Sequence, residues 1–89
     1  MSRSSMEVRF TKSAYQDYLY WKKHDTRKIQ RIKKLCEDIV KKPFKGMGKP
    51  EPLKYDFQGF WSRRIDRTHR LIYKIDDEGI LILSCRYHY

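Results

Sequence analysis

Eighty-nine residues allow one small domain, because a chain this short rarely divides into two cores. Twenty-one Lys and Arg against eleven Asp and Glu leave a formal charge of +10 at pH 7, which points to a polyanion such as nucleic acid, with an acidic membrane surface competing. Aromatics at 15% can fill a compact core, which argues against wholesale disorder, and the longest aliphatic run, residues 80–83, is far too short to span a membrane.

Residues 1–5 are small and polar with no apolar segment behind them, so no signal peptide is expected. They read as a disordered start-site extension or an engineered remnant ahead of a single domain at residues 6–89. Val8-Arg9-Phe10 alternates as a short strand does. Thr11 is a candidate N-cap for a helix through His24, carrying Ala14, Tyr15, Tyr18, Leu19 and Trp21 at helical spacing. Asp25 and Thr26 offer a second cap. Behind them Ile29, Ile32, Leu35, Cys36, Ile39 and Val40 recur at three- and four-residue steps, an amphipathic helix with Lys and Arg on its other faces.

Pro43 ends that helix, and a Gly/Pro/Lys-rich loop runs through Pro50 into Glu51-Pro52-Leu53-Lys54. Strands are expected at residues 59–66, 69–76 and 80–89, joined by short turns into an antiparallel meander. The order β-α-α-β-β-β predicts an α+β domain, two helices packed on one face of a small twisted antiparallel sheet. Alternation places Leu71, Tyr73 and Ile75 inward and Arg70, Ile72 and Lys74 outward. In the last strand it sets Leu81, Leu83, Cys85 and Tyr87 inward against outward Arg86 and His88. Pairing Trp61 with Ile65 inward sends Arg64 outward and leaves Arg63 aimed at the covered face, which parity does not explain. The expected open face therefore carries Arg64, Arg70, Lys74, Arg86 and His88. Cys36 and Cys85 make no disulfide framework and no zinc site by themselves; among apolar neighbours they read as buried thiols of a cytoplasmic protein.

The segments Gly48-Lys49-Pro50-Glu51-Pro52-Leu53-Lys54, Gly59-Phe60-Trp61-Ser62-Arg63-Arg64-Ile65, His69-Arg70-Leu71 and Cys85-Arg86-Tyr87-His88-Tyr89, with Asp17-Tyr18-Leu19-Tyr20-Trp21 before them, closely resemble the YoeB toxins. These are a branch of the RelE-like mRNA interferases of type II toxin–antitoxin pairs. The resemblance runs from about Met6 to Tyr89. It implies a ribosome-dependent endoribonuclease that cuts mRNA in the decoding site, inhibits translation and is silenced by a YefM-like antitoxin. On the family's pattern Glu51 matches the general base for the ribose 2′-hydroxyl and His88 the general acid for the departing 5′-oxygen. Arg70 matches the arginine holding the scissile phosphate, and Tyr89 the tyrosine that positions substrate. Lys49, Lys54, Arg64, Lys74 and Arg86 are the expected RNA-binding cations. The resemblance also implies a homodimer, contact with operator DNA only through the antitoxin complex, and no membrane partner, cofactor or metal.

The chemistry has its own logic. RNA carries its nucleophile, the 2′-hydroxyl, so a protein need supply only a base, an acid and positive charge around a phosphorane-like transition state. Glu51 stands between Pro50 and Pro52, and a residue before proline is pushed toward extended conformations, as is Lys49. Each residue alone has a plainer reading: a solvated loop glutamate, a surface histidine, a solvated basic face. Two other functions compete. A non-catalytic RNA- or ribosome-binding module needs the cations but not Glu51 or His88, and a co-repressor acts on DNA with its antitoxin.

Overall fold

Thr11 and Asp25 set the two helices where the sequence predicts them. In this computed structural model, which describes residues 7–87, strand β1 (Glu7–Phe10) leads into helix α1 (Lys12–His24). The Thr11 hydroxyl accepts the Ala14 N–H at 3.1 Å and donates to the Leu83 carbonyl at 3.0 Å, so the cap also ties the helix to the sheet. Asp25 both closes α1, donating its N–H to the Trp21 carbonyl, and opens α2 (Thr26–Lys41), accepting the Arg27 N–H. Ile29, Ile32, Leu35 and Ile39 of α2 are buried; truncating one of these to alanine costs about 2–5 kcal/mol by the usual cavity penalty.

After the loop come β2 (Glu51–Pro52), a 3₁₀ turn (Tyr55–Phe57), β3 (Trp61–Arg64), β4 (Arg70–Asp76) and β5 (Gly79–Ser84). The sheet order is β1-β5-β4-β3-β2. The helices lie on one face, where Ala14, Trp21, Ile32, Leu35 and Ile39 meet Ile65, Leu71, Tyr73, Ile80, Ile82 and Cys85. The α+β class and the meander of β3, β4 and β5 stand as expected. The sheet is mixed rather than wholly antiparallel, because β1 pairs with β5 in parallel, Val8 opposite Ile80 and Phe10 opposite Ile82. Gly79 permits this: at φ 125° it lies against the Glu7 main chain, where a side chain would collide. The short β2 also adds an edge strand to β3.

The inward set of β5 differs from the alternation reading. Ile80 and Ile82 are fully buried, while Leu81 and Leu83 are half-buried. The reason is a bulge. Tyr73 pairs with Ile82 but Ile72 with Ser84, so Leu83 is an extra residue and the face changes between Ile82 and Cys85. The strand stops at Ser84, and Tyr87, expected in the core, is 57% exposed. Arg86 leaves the expected open-face group, because past the strand end its guanidinium stacks over the Tyr20 ring of α1 at 3.5 Å. His88 and Tyr89 lie outside the described residues.

Candidate active site

Arg63, the residue whose direction parity does not explain, organises the loop that delivers Glu51. It is fully buried on the helix side of β3. Its Nε donates to the Tyr73 hydroxyl at 3.1 Å and its Nη1 to Asp38 Oδ2 at 2.7 Å and to the Met47 carbonyl at 3.1 Å. Its Nη2 donates to the carbonyls of Lys42 and Lys45. A buried guanidinium thus closes the C-terminal end of α2, where carbonyls otherwise lack partners, and holds the loop behind it. Tyr73 completes the set by donating its hydroxyl proton to the Pro43 carbonyl at 2.8 Å. The Met47 N–H and then Arg63 hold the Asp38 carboxyl below the ordinary carboxylate range.

From this anchor the loop passes under Arg64, whose N–H donates to the Gly48 carbonyl at 2.7 Å. Gly48 has φ 83°, and a side chain there would crowd the Leu35 side chain, the Arg63 Cβ and the Arg64 backbone nitrogen. Lys49 departs from the extended conformation its proline neighbour predicts, taking φ 52° as the chain turns from that pinned carbonyl toward the sheet edge. Glu51 is extended, in β2, as a residue before proline should be.

Register then assembles the open face. Glu51 lies opposite Ser62, Ser62 opposite Ile72, and Ile72 opposite Ser84, so one row crosses four strands with side chains on the same side. Ser62, Ile72 and Ser84 form a buried floor, whereas the Glu51 side chain is exposed at its edge. Ile72, expected on an open surface, is only 1% exposed. In the adjacent row Arg64 stands opposite Arg70. On the other side Lys74 lies opposite Leu81, its ammonium over the Phe60 ring at 5.4 Å. Two strand spacings, about 10 Å, separate the backbones of Glu51 and Ile72, a width that admits a nucleotide's ribose and phosphate.

The structure therefore groups Glu51, Arg64, Arg70 and Lys74 on one face, with Lys49 and Lys54 exposed on either side of Glu51 along the chain. Arg70 is turned partly away, its Nη1 donating to the Asp66, Arg67 and His69 carbonyls at 3.1, 3.5 and 3.2 Å. Arg86 is not in the group. The sequence reading missed Ser62 and Ser84, although the parity that sends Arg64 outward also sends Ser62 outward. Ser84 Oγ is buried with no hydrogen-bond partner among the described residues.

The chain beyond β5 is held to α1 and to the β3–β4 turn. Trp21 Nε1 donates to the Cys85 carbonyl at 2.8 Å, and Asp17 Oδ2 accepts the Cys85 N–H at 3.0 Å. The turn itself is built on Asp66, whose Oδ1 accepts the N–H groups of Thr68 and His69, while Oδ2 pairs with Lys28 at 2.7 Å. Burial pushes the Asp66 carboxyl up, but Lys28 and the two N–H donors outweigh it and bring it down to about 2. Burial raises the Cys36 thiol to about 11 and that of Cys85 to about 12, so both stay protonated near neutral pH and are poor nucleophiles. Among the described residues, no three His, Cys, Asp or Glu side chains are grouped to hold a metal ion, and no helix is long and apolar enough to cross a membrane.

Comparison with known proteins gives this arrangement a family. A profile described as the YoeB-like toxin of bacterial type II toxin–antitoxin systems matches residues 10–89. Toxin YoeB of Streptomyces coelicolor is 51% identical over 84 residues, 94% of this chain and 100% of the relative. A YoeB dimer from Staphylococcus aureus superposes with a TM-score of 0.90 at 40% identity, covering 96% of this chain and 99% of that one. The toxin in a heterotetrameric YoeB–YefM complex from the same organism superposes with a TM-score of 0.87 at 39% identity, covering 99% of this chain and 100% of that one. On these matches, which agree in sequence and in fold over most of its length, the chain belongs to the YoeB-like toxins of bacterial type II toxin–antitoxin systems.

Proposed function

We propose that this toxin is a ribosome-dependent endoribonuclease that cleaves mRNA in the decoding site by acid–base attack of the ribose 2′-hydroxyl. The observation that carries the reading is the register that sets Glu51, Arg64 and Arg70 around one buried floor on the sheet face away from the helices. In this reading Glu51 takes the 2′-hydroxyl proton, the oxygen attacks the adjacent phosphorus, and His88 protonates the departing 5′-oxygen. The first product then ends in a 2′,3′-cyclic phosphate and the second begins with a 5′-hydroxyl. Arg70 holds the phosphate as charge builds on its equatorial oxygens, with Arg64 adjacent. Tyr89 sets the substrate against this group. Lys49, Lys54 and Lys74 supply further attraction for the RNA backbone.

The antitoxin of this toxin is a YefM-like protein that covers the basic face with an acidic segment, and the toxin pairs as a homodimer. The YoeB–YefM complex and the YoeB dimer of Staphylococcus aureus support the YefM-like partner and the homodimer, and the net charge of +10 suits an acidic covering segment. The deciding experiment maps mRNA 5′ ends after brief induction of the toxin, with and without translation. New ends within translated codons that vanish when initiation is blocked support the reading. Translation arrest with intact mRNA would replace it with a non-catalytic ribosome-binding module.

A further inference from the structure

Tyr87 is the last described residue, and its main-chain N–H and carbonyl are each taken by a residue of the β3–β4 turn. Its N–H donates to His69 Nδ1 at 2.7 Å, and its carbonyl accepts the Arg70 N–H at 2.8 Å. It holds φ 65°, a left-handed conformation that is strained for a side-chain-bearing residue and persists only where surrounding contacts impose it. Here the contacts come from every side. The Arg86 guanidinium lies between the Tyr20 and Tyr87 rings at 3.5 and 4.7 Å, and its Nη2 donates to the Tyr87 hydroxyl at 2.9 Å.

His69 is itself fixed. Its N–H is held by Asp66 Oδ1 at 2.7 Å, and its ring meets the Trp21 ring edge-on, centroids 4.8 Å apart. Because a main-chain N–H can only donate, Nδ1 must be the accepting nitrogen, so the ring is neutral with its proton on Nε2. The turn at residues 66–70 thereby holds both main-chain groups of Tyr87, the N–H through the His69 ring and the carbonyl through the Arg70 N–H.

We propose that His69 is a positioning residue for the general acid, acting through the main chain of Tyr87. The proposal rests on the reading of His88 as that acid. One peptide bond joins Tyr87 to His88, so a rotation at Tyr87 carries the following residue with it. Misplacement by about 1 Å is enough to lower a rate on the order of 10²-fold when proton transfer needs a near-attack geometry. The His69 ring faces Trp21 and Tyr87, and its role is to fix a direction.

The test compares wild type, His69→Phe and His69→Asn on ribosomes programmed with one mRNA, reading the single-turnover cleavage rate, ribosome affinity, melting temperature and hydrogen exchange at the Tyr87 amide. Phenylalanine keeps a ring against Trp21 but has no acceptor, whereas the asparagine Oδ1 can stand where Nδ1 was. His69→Phe should cleave about 10–100-fold more slowly with unchanged ribosome affinity and melting temperature, and its Tyr87 amide should exchange faster. His69→Asn should recover most of the rate and the protection. Phenylalanine cutting within about twofold of wild type, or asparagine as slow as phenylalanine, overturns the positioning role and leaves the endoribonuclease reading standing. A wild-type toxin that leaves mRNA intact on translating ribosomes overturns that reading, and the proposal with it.

Discussion

Asp38 Oδ2 accepts from Arg63 Nη1 at 2.7 Å, joining the last turn of α2 to the interior of β3. The same oxygen accepts the Met47 N–H at 2.9 Å, so one carboxylate fixes a buried cation and the start of the segment that leads to Glu51. Asp38→Ala leaves a guanidinium at 0% exposure without its counter-charge, which should destabilise the fold by about 3–5 kcal/mol in urea titration. Arg63→Lys should also be poorly tolerated, since an ammonium cannot span the Tyr73, Met47, Lys42 and Lys45 oxygens together. A shift in unfolding midpoint no larger than that of a surface substitution would remove this pair from the framework of the site.

Glu51→Gln keeps shape but cannot accept a proton, so cleavage should fall by roughly 10²–10⁴-fold with ribosome binding retained. The side chain is exposed at a sheet edge, so stability should change by no more than about 0.5 kcal/mol. His88→Gln should give the same signature, slow cutting at normal affinity. Parallel measurement of affinity and single-turnover rate separates chemistry from binding; equal losses in both would make either residue part of the scaffold.

Arg70→Ala and Lys42→Ala each remove one positive charge, yet their effects should differ. Arg70 is part of the open face beside Arg64, and losing a donor to transition-state charge lowers rates by about 10²–10³-fold. The Lys42 ammonium lies 3.9 Å from Asp38 at the end of α2, and its loss should change cleavage by about threefold or less, an effect that lower salt relieves. Cleavage assays across a salt series distinguish these; two equal, salt-sensitive losses would indicate diffuse attraction for RNA.

Acid should loosen the β3–β4 turn. The Asp66 carboxyl is lowered in the folded protein to about 2, against about 3.9 in an unfolded chain. A lowered carboxylate stabilises the fold above the unfolded value, and that contribution disappears as pH falls through the window between about 4 and 2. Asn at position 66 can still accept the Thr68 and His69 N–H groups but loses the charge facing Lys28. Urea midpoints of wild type and Asp66→Asn should therefore differ most above about pH 5 and converge toward pH 2. A gap that stays constant with pH would mean that the carboxylate's charge adds nothing to stability.

The helices and their caps were legible in the sequence because their causes are local: Thr11 and Asp25 bond within three residues, and the buried side of α2 repeats every three or four. Alternation likewise put Arg64, Arg70 and Lys74 on one side of the meander, since neighbouring antiparallel strands share a pleat. Only the tertiary structure decided that β1 runs parallel to β5, that Leu83 bulges and reverses the inward set, and that Glu51 lies in register with Ser62. Each depends on pairing between segments far apart in the chain, which no local period records. The direction of Arg63 was readable but its reason was not. A buried guanidinium needs acceptors, and those it found, Asp38, Tyr73 and three loop carbonyls, converge on it only after α2 has packed against β3 and β4. The same holds for Tyr87: composition presents an aromatic suited to the core, while the end of β5 and the His69 and Arg70 bonds turn its backbone left-handed and its ring toward solvent.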